Sequence, residues 1–540
     1  MKGERLFRIL GLVDDGLIEE AGAASPAAAP RRRSWWTLGL AACLVLICGL
    51  GLWYRAGGGL DGGFSGGAAN GAPASTEGGA PRDPGDAPAD SAPAGGSGEG
   101  TIFLSYAGPV FPLTALEEKS GLTAERALTW DFAPGAYADG EPRQWGAEVT
   151  DRYILSNPGS EDVTVTALYP FAGNFDSLAR VRPKVSVDGG PAETTLYAGP
   201  YAGGFASTYG EEDPAHDTLN LAGLNSWEEY RALLEDGAYL EEALGAYPTL
   251  DIPVTVYRFS DFEAPHTQYP AATQAVTFTI DPEATEILSC GFNGMSWDEE
   301  TGWRRYDYFV PDGVRREPET KALVVLGEDI GDYVLQGYED GGCDVGDEIT
   351  GVSCTVTREE TTLDAVLDDL CREYEFFYTQ GRAVDQESAF DAVPFAMYRG
   401  AVSQLLNQYG ILSGRPKDRY ADGRLDDILS ETLFHQRVLY LEFPVTVPAG
   451  GCATVECRMW KEPSYDFQCS GSENADLQGF DLVTGLGSTL DFTRQTAAVE
   501  NTEGVEILRQ NLGLDPAGGI TSVELDPAEA HYYLELREVK

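Results

Sequence analysis

The chain has 540 residues, enough for three or four units of ordinary domain size, and 43% of them are hydrophobic, which supports a large buried core. Its 87 acidic residues outnumber 37 basic ones, for a formal net charge of −50. A polyanion of that size is repelled by nucleic acid and by anionic lipid headgroups, so nucleic-acid binding is excluded.

Residues 1–33 read as a cytoplasmic amphipathic stub. Leu6, Ile9, Leu10, Val13 and Leu17 recur at helical spacing and form one apolar stripe over residues 3–21. Lys2, Arg5 and Arg8 lie near the start and Asp14, Asp15, Glu19 and Glu20 near the end, an order that opposes the helix dipole. Alone, such a helix is marginal. Two readings fit: a docking peptide that folds on a cytosolic partner, or a leader with no partner of its own. Leu10–Ala21 (LGLVDDGLIEEA) followed by an arginine cluster resembles the N-terminal stubs of membrane-anchored anti-sigma-like proteins of Gram-positive bacteria. The resemblance implies signalling through the stub, although the His/Cys metal signature of some such proteins is missing.

Ser34–Tyr54 is a run of 21 residues without a charge. At helical rise it spans ~30 Å, the hydrocarbon thickness of a bilayer. Trp35 and Trp36 at one end and Trp53 and Tyr54 at the other suit the two interfaces, and Arg31, Arg32 and Arg33 hold the N-terminus in the cytosol. The expectation is an uncleaved plasma-membrane signal anchor, with everything after it extracytoplasmic. A cleaved signal, or a lipoprotein signal ending at Leu40-Ala41-Ala42-Cys43, is the competing reading. Against the latter, the chain stays apolar for eleven positions after Cys43.

Residues 55–100 form a linker. Positions 56–100 hold 15 Gly, 10 Ala and 5 Pro with no apolar periodicity, so nothing offsets the entropy of ordering them. As a flexible coil this segment reaches ~35–40 Å.

The remainder predicts a β-rich α+β fold, an antiparallel β-sandwich-like extracytoplasmic domain with a helical insertion. It divides into a β-rich region at 101–315, an α+β region at 316–435 and a β-rich end at 436–540. Arg152–Ser156 and Val163–Tyr169 flank the turn Asn157-Pro158-Gly159-Ser160, and alternation at 163–169 gives one buried face. Lys184–Val187 and Thr194–Tyr197 around Asp188-Gly189-Gly190 read as a hairpin. Further strands are expected at 253–259, 274–280, 285–292, 303–310, 322–327 and 349–357. Trp297 and Trp303 bracket a hairpin turn. Ser226-Trp-Glu-Glu229 is a capping box opening a helix to about Glu235. Leu363, Val366, Leu367, Leu370 and Tyr374 mark another helix, and 386–409 and 423–434 read as helical. Arg437–Phe443, Ala453–Cys457 and His531–Arg537 return to strand. The turn-linked pieces NPGSEDVTV and VPAGGCATVEC resemble edge hairpins of bacterial immunoglobulin-like sandwiches; if both belong to one sandwich, the helices near 361–435 are an insertion between its strands.

Chemistry-bearing motifs are few. His216, His266, His435 and His531 stand far apart, and neither HExxH, Cys-x-x-Cys, GxSxG nor a phosphate-binding loop occurs. No cofactor is implied. Asp344, Asp347 and Glu348 are candidate calcium ligands, although they lack the alternation of an EF-hand and also fit a solvated acidic turn. Trp297, Trp303, Tyr306, Tyr308 and Phe309 are a candidate sugar-stacking platform, or core on one face and surface on the other. Cys371, next to Leu370 on the helical stripe, reads as a semi-buried helix cysteine. Seven cysteines follow the apolar run; Cys343–Cys354 is one feasible bridge, whereas Cys452 and Cys457 on one strand are ~16 Å apart and are not. The function expected is an anchored binding or sensory protein with an unknown surface ligand. A structural or adhesive surface protein and a cell-wall enzyme are the alternatives.

Overall fold

The computed structural model describes residues 106–539, apart from 118–120, 137–142, 144, 207–219, 268, 270, 299, 312–319, 381–388, 409–411, 413–422, 468–473 and 475. The stub, the uncharged run and the linker lie outside these residues. Among the described residues no helix is long and apolar enough to cross a membrane.

The described chain is β-rich, as expected, and is built from several antiparallel sheets. A seven-stranded large sheet runs in the order Ser522–Glu524, Asp491–Glu500, Thr123–Asp131, Ala147–Ser156, Cys452–Lys461, Lys184–Val187, Gly190–Pro191. A four-stranded small sheet runs Thr114–Ala115, Val163–Gly173, Arg437–Val447, Thr195–Ala198. Alternate residues of both sheets share one core: Val149, Tyr153, Leu155, Val455 and Cys457 from the large sheet, and Val165, Ala167, Tyr169, Leu441 and Phe443 from the small. Thr123–Asp131 and Asp491–Glu500 form the one parallel pair among the described strand pairs.

Two turns carry the chain between these sheets, and they bond to each other. Ala147–Ser156 in the large sheet leads to Val163–Gly173 in the small, and Arg437–Val447 leads back to Cys452–Lys461. Both pairings are in register, Val163 opposite Val447 and Ser156 opposite Cys452. Asn157 secures the corner: its Nδ2 donates to Glu161 O (2.8 Å) and Val447 O (3.1 Å), while its Oδ1 accepts from Gly159 N (2.9 Å). Gly450 N donates to Gly159 O at 2.9 Å, tying turn to turn. The strands around 150–170 and 437–457 therefore belong to one sheet pair, although almost 300 residues separate them.

The excursion between Ala198 and Arg437 holds more than helices. It contains a second sheet pair. The inner sheet runs Thr285–Cys290, Lys321–Gly327, Pro253–Glu263, Ser353–Thr362, and the outer sheet Gly294–Asp298, Trp303–Pro311, Ala271–Thr279, Tyr333–Tyr338, Glu348–Ile349. Tyr257, Phe259, Leu323 and Val325 meet Val276, Phe278, Tyr306 and Tyr308 between them. The inner sheet is buried on its second face too, by helices α3 (Leu363–Gln380), α4 (Phe395–Gln408) and α5 (Leu425–Phe434). This explains why Ala322–Leu326 and Ile287–Leu288 are apolar without alternation: a strand covered on both faces has no polar side. The stripe Leu363, Val366, Leu367 and Leu370 is buried as its spacing predicts, with Tyr374 packed beside it, and Cys371 is fully buried within it.

Two helices earlier in the chain, H1 (Trp227–Leu234) and H2 (Ala238–Leu244), cover the outer face of the small sheet. Tyr230, Leu234 and Tyr239 pack there on Leu168, Val438 and Tyr440. The capping box forms, Ser226 Oγ accepting from Glu229 N at 3.3 Å and the Glu229 carboxylate accepting from Asn225 N. A C-terminal sheet, Tyr465–Asp466, Gln478–Val483, His531–Glu538, Val505–Gln510, completes the unit.

Three expectations are corrected. Lys184–Val187 pairs with Gly190–Pro191, not with 194–197. Asp188 (φ 50°) and Gly189 (φ 79°) make a left-handed two-residue turn. Pro191 then lacks the N–H to extend the ladder, and Thr195–Ala198 crosses to the small sheet. The five aromatic residues near 297–309 do not form one platform: Trp297 shares a face with Tyr306 and Tyr308, which are core, while Trp303 and Phe309 point to the opposite face. Cys343 and Cys354 are both free. Cys343 lies beside Arg305 and Asp307, and Cys354 beside Tyr308, side chains on opposite faces of the same strand.

Candidate functional site

Asp344 and Asp347 sit exposed in the turn before Glu348–Ile349, and Glu348, also exposed, opens that strand. Glu348 accepts from Gly346 N at 2.8 Å, and Asp347 N donates to Asp344 O at 3.2 Å. Among the described residues no three His, Cys, Asp or Glu side chains converge as metal ligands. Leu6, Ile9, Leu10, Val13, Leu17, Arg31–Arg33, Trp35, Trp36, Trp53 and Tyr54 fall outside the described residues.

The structure instead brings polar groups together where H1 and the C-terminal sheet meet. Gln478–Val483 is buried along its length after Gln478, and Asp481 lies between Phe480 and Leu482 with only 1% of its side chain exposed. The His531 Nε2 bonds to Asp481 Oδ2 at 2.9 Å, and the Tyr106 hydroxyl donates to the same oxygen. Burial alone would push the Asp481 carboxyl up; the bonds and charge of His531 bring it below the ordinary carboxylate range. Lys461 is buried nearby and its amine is pushed down to about 8, with Asp481 partly opposing the effect of burial. Its Nζ donates to Glu462 O at 3.2 Å.

Aromatic rings wall this hub. Trp227 of H1 stacks on His531 at 4.9 Å and 6°, and Arg231, one turn on, lies 5.0 Å from the centroid of the same indole ring. Tyr230 packs 5.7 Å from Tyr106, and its buried hydroxyl has no hydrogen-bond partner among the described residues. Tyr465 stacks 6.2 Å from Tyr106 and donates to Glu535 Oε1 at 3.1 Å. The second Glu535 oxygen pairs with Arg509. Burial nevertheless holds the Glu535 carboxyl above its usual range.

A second polar pair lies at the end of α5. Glu431 and His435, one helical turn apart, approach to 3.7 Å, and Tyr201 packs 4.8 Å from the imidazole. Burial pushes the Glu431 carboxyl up to about 7. Burial, then the neighbouring Arg437, pushes His435 down to about 3. Glu431 therefore stays neutral from its ordinary value up to about 7, and His435 stays neutral from its ordinary value down to about 3. Glu431 keeps 41% of its side chain exposed, so the pair opens to solvent on one side.

Sequence reasoning missed both groups. Asp481 and His531 are 50 positions apart, and no motif joins them. Single acids inside apolar strands, Asp481 in QGFDLV and Glu535 in HYYLELRE, were the available signal. The i, i+4 spacing of Glu431 and His435 on a helix was another.

No protein-family profile matches the chain, and comparison with curated proteins returns no relative.

Proposed function

We propose that the chain is a single-pass, membrane-anchored extracytoplasmic binding or sensory protein whose N-terminal helix reports to a cytosolic partner. One observation carries this reading: the 21-residue uncharged run from Ser34 to Tyr54, with Arg31–Arg33 before it and aromatic residues at both ends. The acidic sandwich-like domain then stands outside the cell on its linker. The hub of Asp481, His531 and the surrounding tyrosines supplies buried polar groups suited to coupling the folded domain to what happens at its N-terminal edge.

Protease applied to intact cells tests the topology. Residues from 56 onward should be digested while 1–33 are protected. Survival of the bulk of the chain, or a mature N-terminus at or after Cys43, would refute it. Residues 1–33 used as bait should recover one specific cytosolic protein. Recovery of none would remove the signalling half and leave an adhesive or structural surface protein.

A further inference from the structure

The segment that joins the linker to the folded domain is held by two chemically different seats. Residues 106–110 lie on the C-terminal sheet. Ala107 N donates to Ser464 O (2.7 Å), Val110 N to Asp481 O (2.9 Å) and Val483 N to Val110 O (3.1 Å), while the Tyr106 hydroxyl donates to the Asp481 carboxylate. Residues 111–115 lie on the first sheet pair. Arg126 Nη2 donates to Phe111 O (3.3 Å), Leu113 N to the Tyr153 hydroxyl (2.9 Å) and Ala115 N to Thr489 Oγ1 (3.2 Å).

The inner seat is anchored by Arg126 and Asp151, which form a bidentate pair with side chains 1% and 0% exposed. Neither side chain of that pair reaches water. The outer seat adds to its backbone bonds one titratable carboxylate, Asp481, whose partner His531 is buried but keeps 11% of its side chain exposed. We propose that residues 106–110 are a latch that opens on acidification while residues 111–115 stay clamped.

The charges around Asp481 set the direction. Tyr106 faces it from the segment, Tyr230 from H1, Lys461 from the Cys452–Lys461 strand, Tyr465 from its own short strand and His531 from the last strand. The Glu535–Arg509 pair stands behind Tyr465. Protonating Asp481 removes the one negative charge that the cationic groups at 461 and 531 share. Tyr106 then donates to a neutral oxygen, a weaker bond. Because folding holds the Asp481 carboxyl below its ordinary range, the attachment is present at neutral pH and is lost as pH falls through the folded value. Five freed residues would lengthen the linker by about 17 Å. That consequence rests on the anchored reading above; the latch itself does not.

Hydrogen exchange on the full-length protein in lipid nanodiscs, compared at pH 7.5 and at a pH of about 2.5, below the ordinary carboxylate range, after correction for intrinsic rates, tests it. The Ala107 and Val110 amides should lose at least tenfold protection at the lower pH, while those of Leu113 and Ala115 keep theirs. Asp481→Asn should show the open pattern at both pH values. Tyr106→Phe, which removes one hydroxyl and leaves the carboxylate, should move the opening to higher pH. Equal loss at all four amides, loss at none, or a Tyr106→Phe protein indistinguishable from the parent would each overturn the proposal. A failed topology experiment would leave this result standing, since exchange is read on purified protein.

Discussion

Replacing Asp151 with leucine should cost about 3–5 kcal/mol of stability, because it strands a buried guanidinium. Arg126 makes four hydrogen bonds: Nε and Nη2 to Asp151 at 2.9 and 2.8 Å, Nη1 to Val483 O at 2.7 Å, and Nη2 to Phe111 O at 3.3 Å. Two of these are charge-assisted and vanish in Asp151→Leu, at about 1.5–3 kcal/mol each. Arg126→Met should cost a similar amount. It leaves the Asp151 carboxylate with only the Tyr153 hydroxyl at 2.6 Å and the Tyr169 hydroxyl at 3.4 Å. The double variant removes both charges and leaves only carbonyls and hydroxyls unmatched. It should therefore fall short of the sum of the singles by at least about 2 kcal/mol. Urea denaturation of the full-length proteins in detergent, followed by near-ultraviolet circular dichroism, measures all three. Singles that cost under about 1 kcal/mol, or a double that equals their sum, would refute the view that this pair is a sealed clamp.

Other expectations follow from the same contacts. The Glu431 carboxyl, raised to about 7, contributes stability that is full below its unfolded value and is lost as pH rises through 7; Glu431→Gln should abolish that loss in thermal melts taken from pH 5 to 8. His435, depressed to about 3, contributes stability present above its unfolded value and lost as pH falls, so His435→Gln should flatten the acid side of the same profile. Gly302 sits at φ +71°, and an added Cβ would fall 2.0 Å from Ile280 O; Gly302→Ala should destabilise by at least about 1–2 kcal/mol in urea titrations. In native protein a maleimide should label exposed Cys452 and spare Cys290, Cys371 and Cys457 until denaturant is added, as peptide mapping would show.

Local pattern fixed many of the elements. The stripe Leu363–Leu370 could bury itself only as a helix, Ser226 and Glu229 could cap only a helix start, and the alternation at 163–169 suits only a strand with one wet side. Asn157-Pro158-Gly159 marked a corner for the same reason: its backbone conformations are cheap there and costly elsewhere. These are short-range facts, and the chain carries them wherever it folds.

Partnership was decided by the tertiary structure. Strand periodicity says which face is buried and nothing about what covers it. That is why the pattern at 184–187 suits either 190–191 or 194–197 as a partner, and why a second sheet pair lies unannounced between Ala198 and Arg437. The candidate site depends on the same long-range choices. Tyr106, Asp481 and His531 span 425 positions, from 106 to 531, and meet because the segment at 106–110 lies along the sheet in which Gln478–Val483 pairs with the last strand. An acid in an apolar strand announces that it must be satisfied; only packing determines by whom.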